Sequence, residues 1–382
     1  MKIYIAANNN VSEKFIDKAK TDFLKKFLSF NTDNFVNSDA NVIWFLSGGA
    51  EHKAIEQIEA QNRYCFLASE KDNSWAAATE VKAFLNEKGI KTKIFNIDFI
   101  NNLEPLQKFL DEKDSYKNTK LALIGKPENW LIASVPDYEL LHEVLGIKIV
   151  EYNWSEILQF DDNNFDEFDK YFAKYNYKTF EKDRALYNKM ISFIHVEEVS
   201  AMAVSCFDFI KKYDYTACLP VALLNNNNIP TVCEGDLCSA AGMIVLSRIA
   251  GKIPWVANLN ALDRESVVFS HCTAPLNLLE DFDVESHLET GKGSAVKGKI
   301  ANQQVTVFRI DRNLEFCFLA LGEIIESGNI IQACRTQIKV KMSHKSIFLL
   351  REFPLGNHHL IVPGDYTNVL AEYFTNKGFR IF

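Results

Sequence analysis

Residues 229–261 read IPTVCEGDLCSAAGMIVLSRIAGKIPWVANLNA, and this stretch indicates the fold class. A short apolar run ends at Val232 and a polar loop follows it. An apolar segment then continues to Gly251, and a second short apolar run begins at Trp255. The lengths of these runs and the glycine after the middle segment predict a strand, a helix and a strand. This order is typical of a parallel sheet covered by helices.

The same alternation extends through the first 160 residues. Strands are predicted at 3–6, 41–47, 64–69, 91–98, 120–125 and 147–153, and helices at 13–27, 52–60 and 75–88. From residue 285 the pattern changes to closely spaced runs rich in Val, Ile, Thr and Phe, such as QQVTVFRID at 303–311. Such runs predict an antiparallel sheet or a small barrel. We therefore expect an α/β fold with N-terminal and middle Rossmann-like domains and a C-terminal antiparallel β-barrel-like domain.

An acidic, aromatic-rich stretch at 160–183 separates the first α/β segment from the second. We interpret its charges as a solvated helix face and place a domain boundary near its start. The expected domains are an N-terminal α/β domain at 1–160, a second α/β domain at 161–280, an antiparallel domain at 281–355, and a strand-helix-strand segment at 356–382 that returns to the α/β region.

Composition excludes several classes of protein. The chain has 382 residues, of which 47% are hydrophobic, so intrinsic disorder is excluded. A net charge of -8 repels a phosphate backbone and argues against a nucleic-acid partner. No apolar run is long enough to span a bilayer, and the opening MKIYIA is interpreted as a strand, so no membrane partner is expected. The eight cysteines form no CxxC pair, which favours a reducing, cytoplasmic location.

Three segments place polar side chains where an apolar run ends. Glu234 and Asp236 follow the strand at 229–232, His271 ends the run VVFSH, and Asn357, His358 and His359 precede LIVPGD. Ligands of open α/β sheets bind beyond the carboxyl ends of strands. Carboxylates and imidazoles from separate strand ends can bind a divalent cation such as manganese. We also predict Asp236 and Asn357 as substrate contacts.

Each segment has a purely structural alternative. Glu234 and Asp236 could be carboxylates that stabilise a helix N-terminus, and His271 could be a half-buried, hydrogen-bonded histidine. Because adjacent strand residues alternate faces, at most one of His358 and His359 can point into a given site. Other features are interpreted structurally: the cysteines at 233 and 272 as small core residues, TGKGSAVKG at 290–298 as hairpin turns, and the tryptophans at 75, 130 and 154 as core residues more often than sugar-stacking ones.

The stretch from about residue 198 to 382 resembles the L-fucose isomerase and L-arabinose isomerase group of sugar isomerases. The motifs that carry the resemblance are CEGDLCSAAGMIVLSRIAGKIPWVANL, VVFSHCTAPLNL, GKGSAVKGKIANQQVTVFRI, LGEIIES and GNHHLIVPGD, in that order. The first half matches only in its α/β pattern. The chain is shorter than full-length members, and we expect an N-terminal portion to be missing or reduced.

The resemblance implies an intramolecular oxidoreductase of carbohydrate metabolism that interconverts aldose and ketose through an enediol. It implies a divalent metal, usually Mn2+, between the α/β domains and the barrel-like domain. Glu234 matches the first carboxylate ligand and acid/base residue, and one of His358 and His359 matches the imidazole ligand. His271 resembles a ligand of the arabinose branch. A small-molecule sugar or sugar derivative as substrate and a homo-oligomer are likewise implied.

The chain departs from the family pattern at two positions. The second acidic ligand position is Asn258, and the family's HCG reads HCT here, with Thr273 in place of glycine. An amide carries no charge and cannot take a proton. The alternative function is therefore a catalytically altered sugar-binding or regulatory protein of the same fold, in which metal binding is weak or absent. A third possibility is another carbonyl reaction on the same scaffold, one for which a single carboxylate is enough.

Overall fold

The computed structural model describes residues 1–59, 63–111, 119–161, 167–172, 175 and 180–382. The chain divides into two compact units, Met1–Ser115 and Tyr116–Phe382. The α/β fold class with a C-terminal antiparallel barrel is confirmed, and the division into four domains stays a prediction. Within the described residues, no helix has both the length and the apolar character needed to cross a bilayer.

The first unit is a four-stranded parallel sheet covered by helices on both faces. Its strands lie in the order of the chain: β1 (Ile3–Ala6), β2 (Val42–Phe45), β3 (Tyr64–Ala68) and β4 (Thr92–Asn96). Its helices are α1 (Glu13–Lys26), α2 (Glu51–Ile55), α3 (Ser74–Glu87) and α4 (Glu104–Asp111). Because successive strand residues alternate faces, Val42 and Trp44 pack on one side of the sheet and Ile43 and Phe45 on the other. The predicted helix end at residue 60 lies outside the described residues.

The second unit begins with another four-stranded parallel sheet. Its strands, in spatial order, are β6 (Ile147–Tyr152), β5 (Thr119–Ile124), β7 (Ala201–Val204) and β8 (Thr231–Val232). The chain leaves β5 toward β6 on one side and later returns to β7 on the other. The strand order therefore reverses at β5, and ligands of such sheets bind at the carboxyl ends of strands beside this point.

Seven helices precede the barrel in the second unit. They are α5 (Tyr138–Leu145), α6 (Trp154–Ile157), α7 (Glu167–Phe172), α8 (Glu181–Glu197), α9 (Cys206–Tyr213), α10 (Cys218–Asn226) and α11 (Leu237–Ala250), counted over the described residues. The remainder of the predicted acidic stretch, at 162–166, 173–174 and 176–179, lies outside them. Helix α11 is buried along most of its length and contacts β7 of the parallel sheet. It also contacts two strands of the barrel, Gln304–Ile310 and His358–Pro363.

The barrel closes from six antiparallel strands. In spatial order they are β13 (Gln304–Ile310), β16 (His358–Pro363), β9 (Trp255–Leu262), β10 (Ser266–His271), β15 (Thr336–Met342) and β14 (Phe316–Ser327), with β14 pairing back to β13. Outside it lie the hairpin of β11 (Asp281–Glu285) and β12 (Ala295–Lys299), the helices α12 (His344–Glu352) and α13 (Thr367–Asn376), and β17 (Arg380–Ile381). Three strands of the barrel, β9, β10 and β16, thus lie outside the antiparallel domain predicted at 281–355. The hairpin turn predicted at TGKGSAVKG is present.

A buried acid in α8 gives a stability prediction. Asp183 is 4% exposed, accepts one hydrogen bond from the Ser294 hydroxyl, and has an Oδ1 atom with no hydrogen-bond partner among the described residues. Burial raises the pKa of Asp183 to about 7. The unfolded chain ionises this group near its ordinary pKa, so its contribution destabilises the fold progressively as pH rises from about 4 to about 7.

We therefore expect Asp183→Asn to stabilise the fold more at pH 8 than at pH 5. The change in the free energy of unfolding between the two conditions is expected to be on the order of 2–4 kcal/mol, since one pKa unit corresponds to about 1.4 kcal/mol. Urea unfolding of wild type and variant at both pH values measures it. An effect of equal size at pH 5 and pH 8 would contradict the assignment of the raised pKa to Asp183.

Candidate functional site

Glu234 lies in the tight loop between β8 and α11, at the carboxyl ends of the parallel strands. Its φ is 61° and that of Gly235 is 68°, so both residues adopt the left-handed conformation that only glycine takes without strain. A Cβ atom on Gly235 would lie 2.8 Å from the Cα of Pro127, so this position requires glycine. The Glu128 N–H donates to the Glu234 carbonyl at 2.9 Å. The loop is thus pressed against the loop that follows β5.

The carboxylate of Glu234 is held from one side and faces two imidazoles on the other. The Trp130 indole N–H donates to Oε2 at 2.8 Å. Oε1 lies 3.8 Å from Nε2 of His271 and 3.7 Å from Nε2 of His358. Both Nε2 atoms are buried and find no hydrogen-bond partner among the described residues. The three donor atoms lie within 4.8 Å of one another, so they can share one cation.

Residues behind His358 fix the direction of its ring. Its Nδ1 lies 2.9 Å from Oδ2 of Asp236, whose Oδ1 accepts the Ser239 N–H and caps α11. Arg309 lies 3.5 Å from the same carboxylate and donates to the His358 carbonyl at 2.5 Å. Because the carboxylate accepts Nδ1–H, the ring binds a metal through Nε2 once its second proton has been displaced. Asp236 is fully buried and contacts Nδ1 of the His358 ring, whereas Glu234 lies on the Nε2 side of the same ring.

The charges of the cluster follow from these contacts. Burial opposes ionisation of Glu234, but His271 and His358 outweigh it and lower the pKa of Glu234. Burial also opposes ionisation of Asp236, but Arg309 and His358 outweigh it and lower the pKa of Asp236 to about 2. Burial would lower the pKa of His358, but the two carboxylates raise it to about 9. Burial lowers the pKa of His271. The cluster thus holds two carboxylates and can balance a positive charge.

His359 points away from this cluster. Its ring lies in the barrel interior, with its centroid 5.6 Å from that of Phe269 and 5.8 Å from that of Phe318. Its Nδ1 bonds to the Asn357 carbonyl, and burial lowers the pKa of His359 to about 3, so the ring is neutral. The structure therefore brings Glu234, His271 and His358 together and places His359 elsewhere.

Asn258 pairs directly with His358 across β9 and β16, and cross-strand partners share a face of the sheet. Its Oδ1 accepts a hydrogen bond from the Asn357 amide at 2.6 Å. The Asn357 Oδ1 in turn accepts the Leu259 N–H at 3.1 Å. The Asn258 amide, at the predicted second acidic position, thus lies beside the Glu234 cluster and is hydrogen-bonded to Asn357. The predicted substrate contacts of Asp236 and Asn357 stay predictions.

Two contributors were not singled out from sequence. Arg309 stands alone as a charge in the apolar run VTVFRI, which is a signal of a buried ion pair. Trp130 was grouped with two other tryptophans, and only the fold shows that it reaches Glu234. Nothing in the local sequence around residue 130 indicates that contact, because 104 residues separate the partners.

Comparison with known proteins gives relatives but no matching family model. A sulfoquinovose isomerase from Alkalicoccus urumqiensis is 23% identical over 293 residues, which cover 71% of this chain and 66% of that protein. The sulfoquinovose isomerase of Priestia aryabhattai is 26% identical over 47% of this chain and 43% of its own length. That of Clostridium sp. (strain MSTE9) is 26% identical over 48% of this chain and 44% of its own length. The matches thus span less than two thirds of each relative.

Proposed function

We propose that this protein is a metal-dependent sugar isomerase that interconverts an aldose and a ketose through an enediol. The observation that carries the proposal is the convergence, within 4.8 Å, of one carboxylate and two imidazole nitrogens that have no hydrogen-bond partner among the described residues. The cluster lies at the carboxyl ends of the parallel strands, beside the point where the strand order reverses. The similarity to proteins named sulfoquinovose isomerase supports a sugar substrate, with sulfoquinovose as the first one to test.

The residues present fit a divalent cation, and Glu234, His271 and His358 would hold it. Such a cation polarises the adjacent carbonyl and hydroxyl oxygens of a sugar. Manganese suits this mixed set of oxygen and nitrogen ligands. The resemblance to the fucose and arabinose isomerases is consistent with this set and stays a prediction, as do the homo-oligomer and the cytoplasmic location.

The protein's own groups position the reacting carboxylate. The Trp130 indole engages Oε2 of Glu234, so Oε1 is the oxygen that faces the two imidazoles and would hold the cation. Asp236 holds His358 in one orientation, so the imidazole adds no rotational freedom to the site. A proton moves between adjacent sugar carbons by way of a positioned general base, and we assign this role to Glu234.

A sugar-binding or regulatory protein of the same fold is the second candidate. The observation that favours it is the Asn258 amide, which supplies no charge and is already bonded to Asn357. In that case the protein would bind a sugar without converting it.

Metal content and turnover separate the two candidates. Protein purified without chelator is expected to contain a divalent metal, and manganese addition is expected to support conversion of sulfoquinovose, L-fucose or L-arabinose to a ketose. Metal without turnover of any aldose would favour another carbonyl reaction. Absence of both, with sugar binding retained in calorimetry, would favour the regulatory candidate.

Asn258→Asp is expected to tighten manganese binding about tenfold, which corresponds to about 1.4 kcal/mol. The reason is that the substitution places an anionic oxygen beside His358. Isothermal titration with manganese measures the change.

The matched control is Asn302→Asp, which adds the same charge at an exposed position. It precedes β13, where Val305 pairs with Pro363 at the end of β16 farthest from His358. Unchanged affinity in Asn258→Asp would show that residue 258 does not face the metal.

A further inference from the structure

A second group of possible ligands lies on the other side of the β10 terminus. The thiols of Cys218 and Cys272 and a ring nitrogen of His287 lie within 4.8 Å of one another. The three residues are 2%, 3% and 4% exposed. Because successive residues of an extended chain point to opposite sides, His271 and Cys272 can serve separate sites.

The three residues come from three separate elements. Cys218 is the first residue of α10. Cys272 directly follows β10, and His287 lies in the loop of the β11–β12 hairpin. The His287 Nδ1 bonds to the Thr290 hydroxyl at 3.1 Å, which leaves Nε2 as the ligand nitrogen. The same loop is exposed at residues 291–293.

A third thiol adjoins this group. Cys334 packs in the same apolar cluster as Cys218 and Cys272, next to the three residues whose ligand atoms lie within 4.8 Å of one another. Tetrahedral zinc takes four sulfur or nitrogen ligands, so Cys334 is the candidate for the fourth position. Buried cysteines alone are ordinary core residues. A buried imidazole with a ring nitrogen within 4.8 Å of two of these thiols is the feature that core packing leaves unexplained.

We propose that Cys218, Cys272 and His287, with Cys334 as fourth ligand, form a structural zinc site. The three cysteine thiols lose their protons to solvent when the ion binds, and their three thiolates leave the bound site with one net negative charge. The imidazole coordinates in its neutral form. The donor set is soft, which favours zinc over manganese, so the two clusters would select different metals.

The zinc site would also support the Glu234 cluster. The His287 ring packs edge-on against Phe207, with centroids 5.5 Å apart. Phe207 packs edge-on against Trp130 at 5.0 Å, and Trp130 donates to Glu234. An ion that fixes the hairpin loop therefore fixes the residue that orients the carboxylate. This supporting role rests on the proposed function, whereas the zinc site itself does not.

The test uses the full chain, reduced and metal-free, titrated with cobalt(II) alone. Thiolate ligation produces a sulfur-to-cobalt charge-transfer absorption that carboxylate and imidazole ligands do not produce. Wild type is expected to show this absorption, Cys218→Ser and Cys272→Ser to lose it, and His287→Gln to need at least about tenfold more cobalt. Added zinc is expected to abolish it by displacement.

Two control variants separate this site from the first. Cys317→Ser alters a buried cysteine of β14 and is expected to keep the absorption. Glu234→Gln is expected to keep it too while losing manganese binding. If the buried serine variants fail to fold, wild type and His287→Gln decide the matter. No charge-transfer absorption in wild type, or an undiminished one in His287→Gln, would overturn the proposal.

Discussion

Glu234→Gln is expected to abolish metal-dependent turnover while leaving the fold intact. The glutamine keeps the shape of the side chain and an oxygen that can accept from Trp130. It removes the anionic oxygen that lies 3.7 Å from His358 and 3.8 Å from His271. Removing a residue that merely orients a ligand costs about 10- to 100-fold in metal affinity, so loss of a direct ligand should cost on the order of 100-fold or more. Sugar turnover should fall by about 1000-fold or more, because the general base is lost as well.

Manganese titration and an isomerisation assay measure the two losses on the same protein. Glu323→Gln is the matched control, since it makes the same change at an exposed position of β14 and should behave as wild type. Circular dichroism checks that both variants fold. Turnover near the wild-type rate in Glu234→Gln would show that the assignment of Glu234 is wrong.

Arg309→Met is expected to destabilise the second unit by about 3–5 kcal/mol. The guanidinium is 2% exposed and lies 3.5 Å from the fully buried carboxylate of Asp236. It also donates to the Ser134 hydroxyl at 2.8 Å and to the His358 carbonyl. Breaking a buried pair by removing one partner leaves a charge without compensation, and this cost exceeds the attraction that the pair itself supplied.

A double-mutant cycle tests the source of that loss. Asp236→Asn combined with Arg309→Met should cost less than the sum of the two single substitutions, because the double variant leaves no buried acid without its cation. Arg380→Met is the surface control: its partner Glu315 is 56% exposed, and loss of such a pair should cost at most about 1 kcal/mol. Additive costs in the cycle would show that Arg309 stabilises the fold through contacts other than the one with Asp236.

The sequence pattern predicted the classes of secondary structure well because each class has its own local period. The parallel strands of both α/β sheets and the Val-rich antiparallel strands appear near their predicted positions. The same pattern does not distinguish an open antiparallel sheet from a closed barrel. Closure of the barrel depends on the pairing of β13 with β14 and on the order of the other strands, which no local pattern encodes.

The candidate site shows the same limit at the level of single residues. Strand alternation predicted that only one of His358 and His359 could face a given site, and the pairing of β16 with β9 and β13 determines that it is His358. The sequence does not predict the proposed zinc ligands as one site, because their spacing in the chain matches no metal-binding motif. The apolar context of Cys272 indicates a core residue, and nothing in the sequence around His287 indicates a metal ligand.

The contacts that build the Glu234 cluster join residues far apart in the chain. Trp130 and Glu234 are separated by 104 residues, Asp236 and His358 by 122, and Ser134 and Arg309 by 175. Contacts of high contact order form slowly, because the entropy of closing long loops must be overcome before the contacts stabilise the chain. The cluster should therefore be among the last parts of this unit to assemble during folding. Metal capture at Glu234 would then report that the barrel has docked on the parallel sheet, and partly folded chains would be unable to retain the ion.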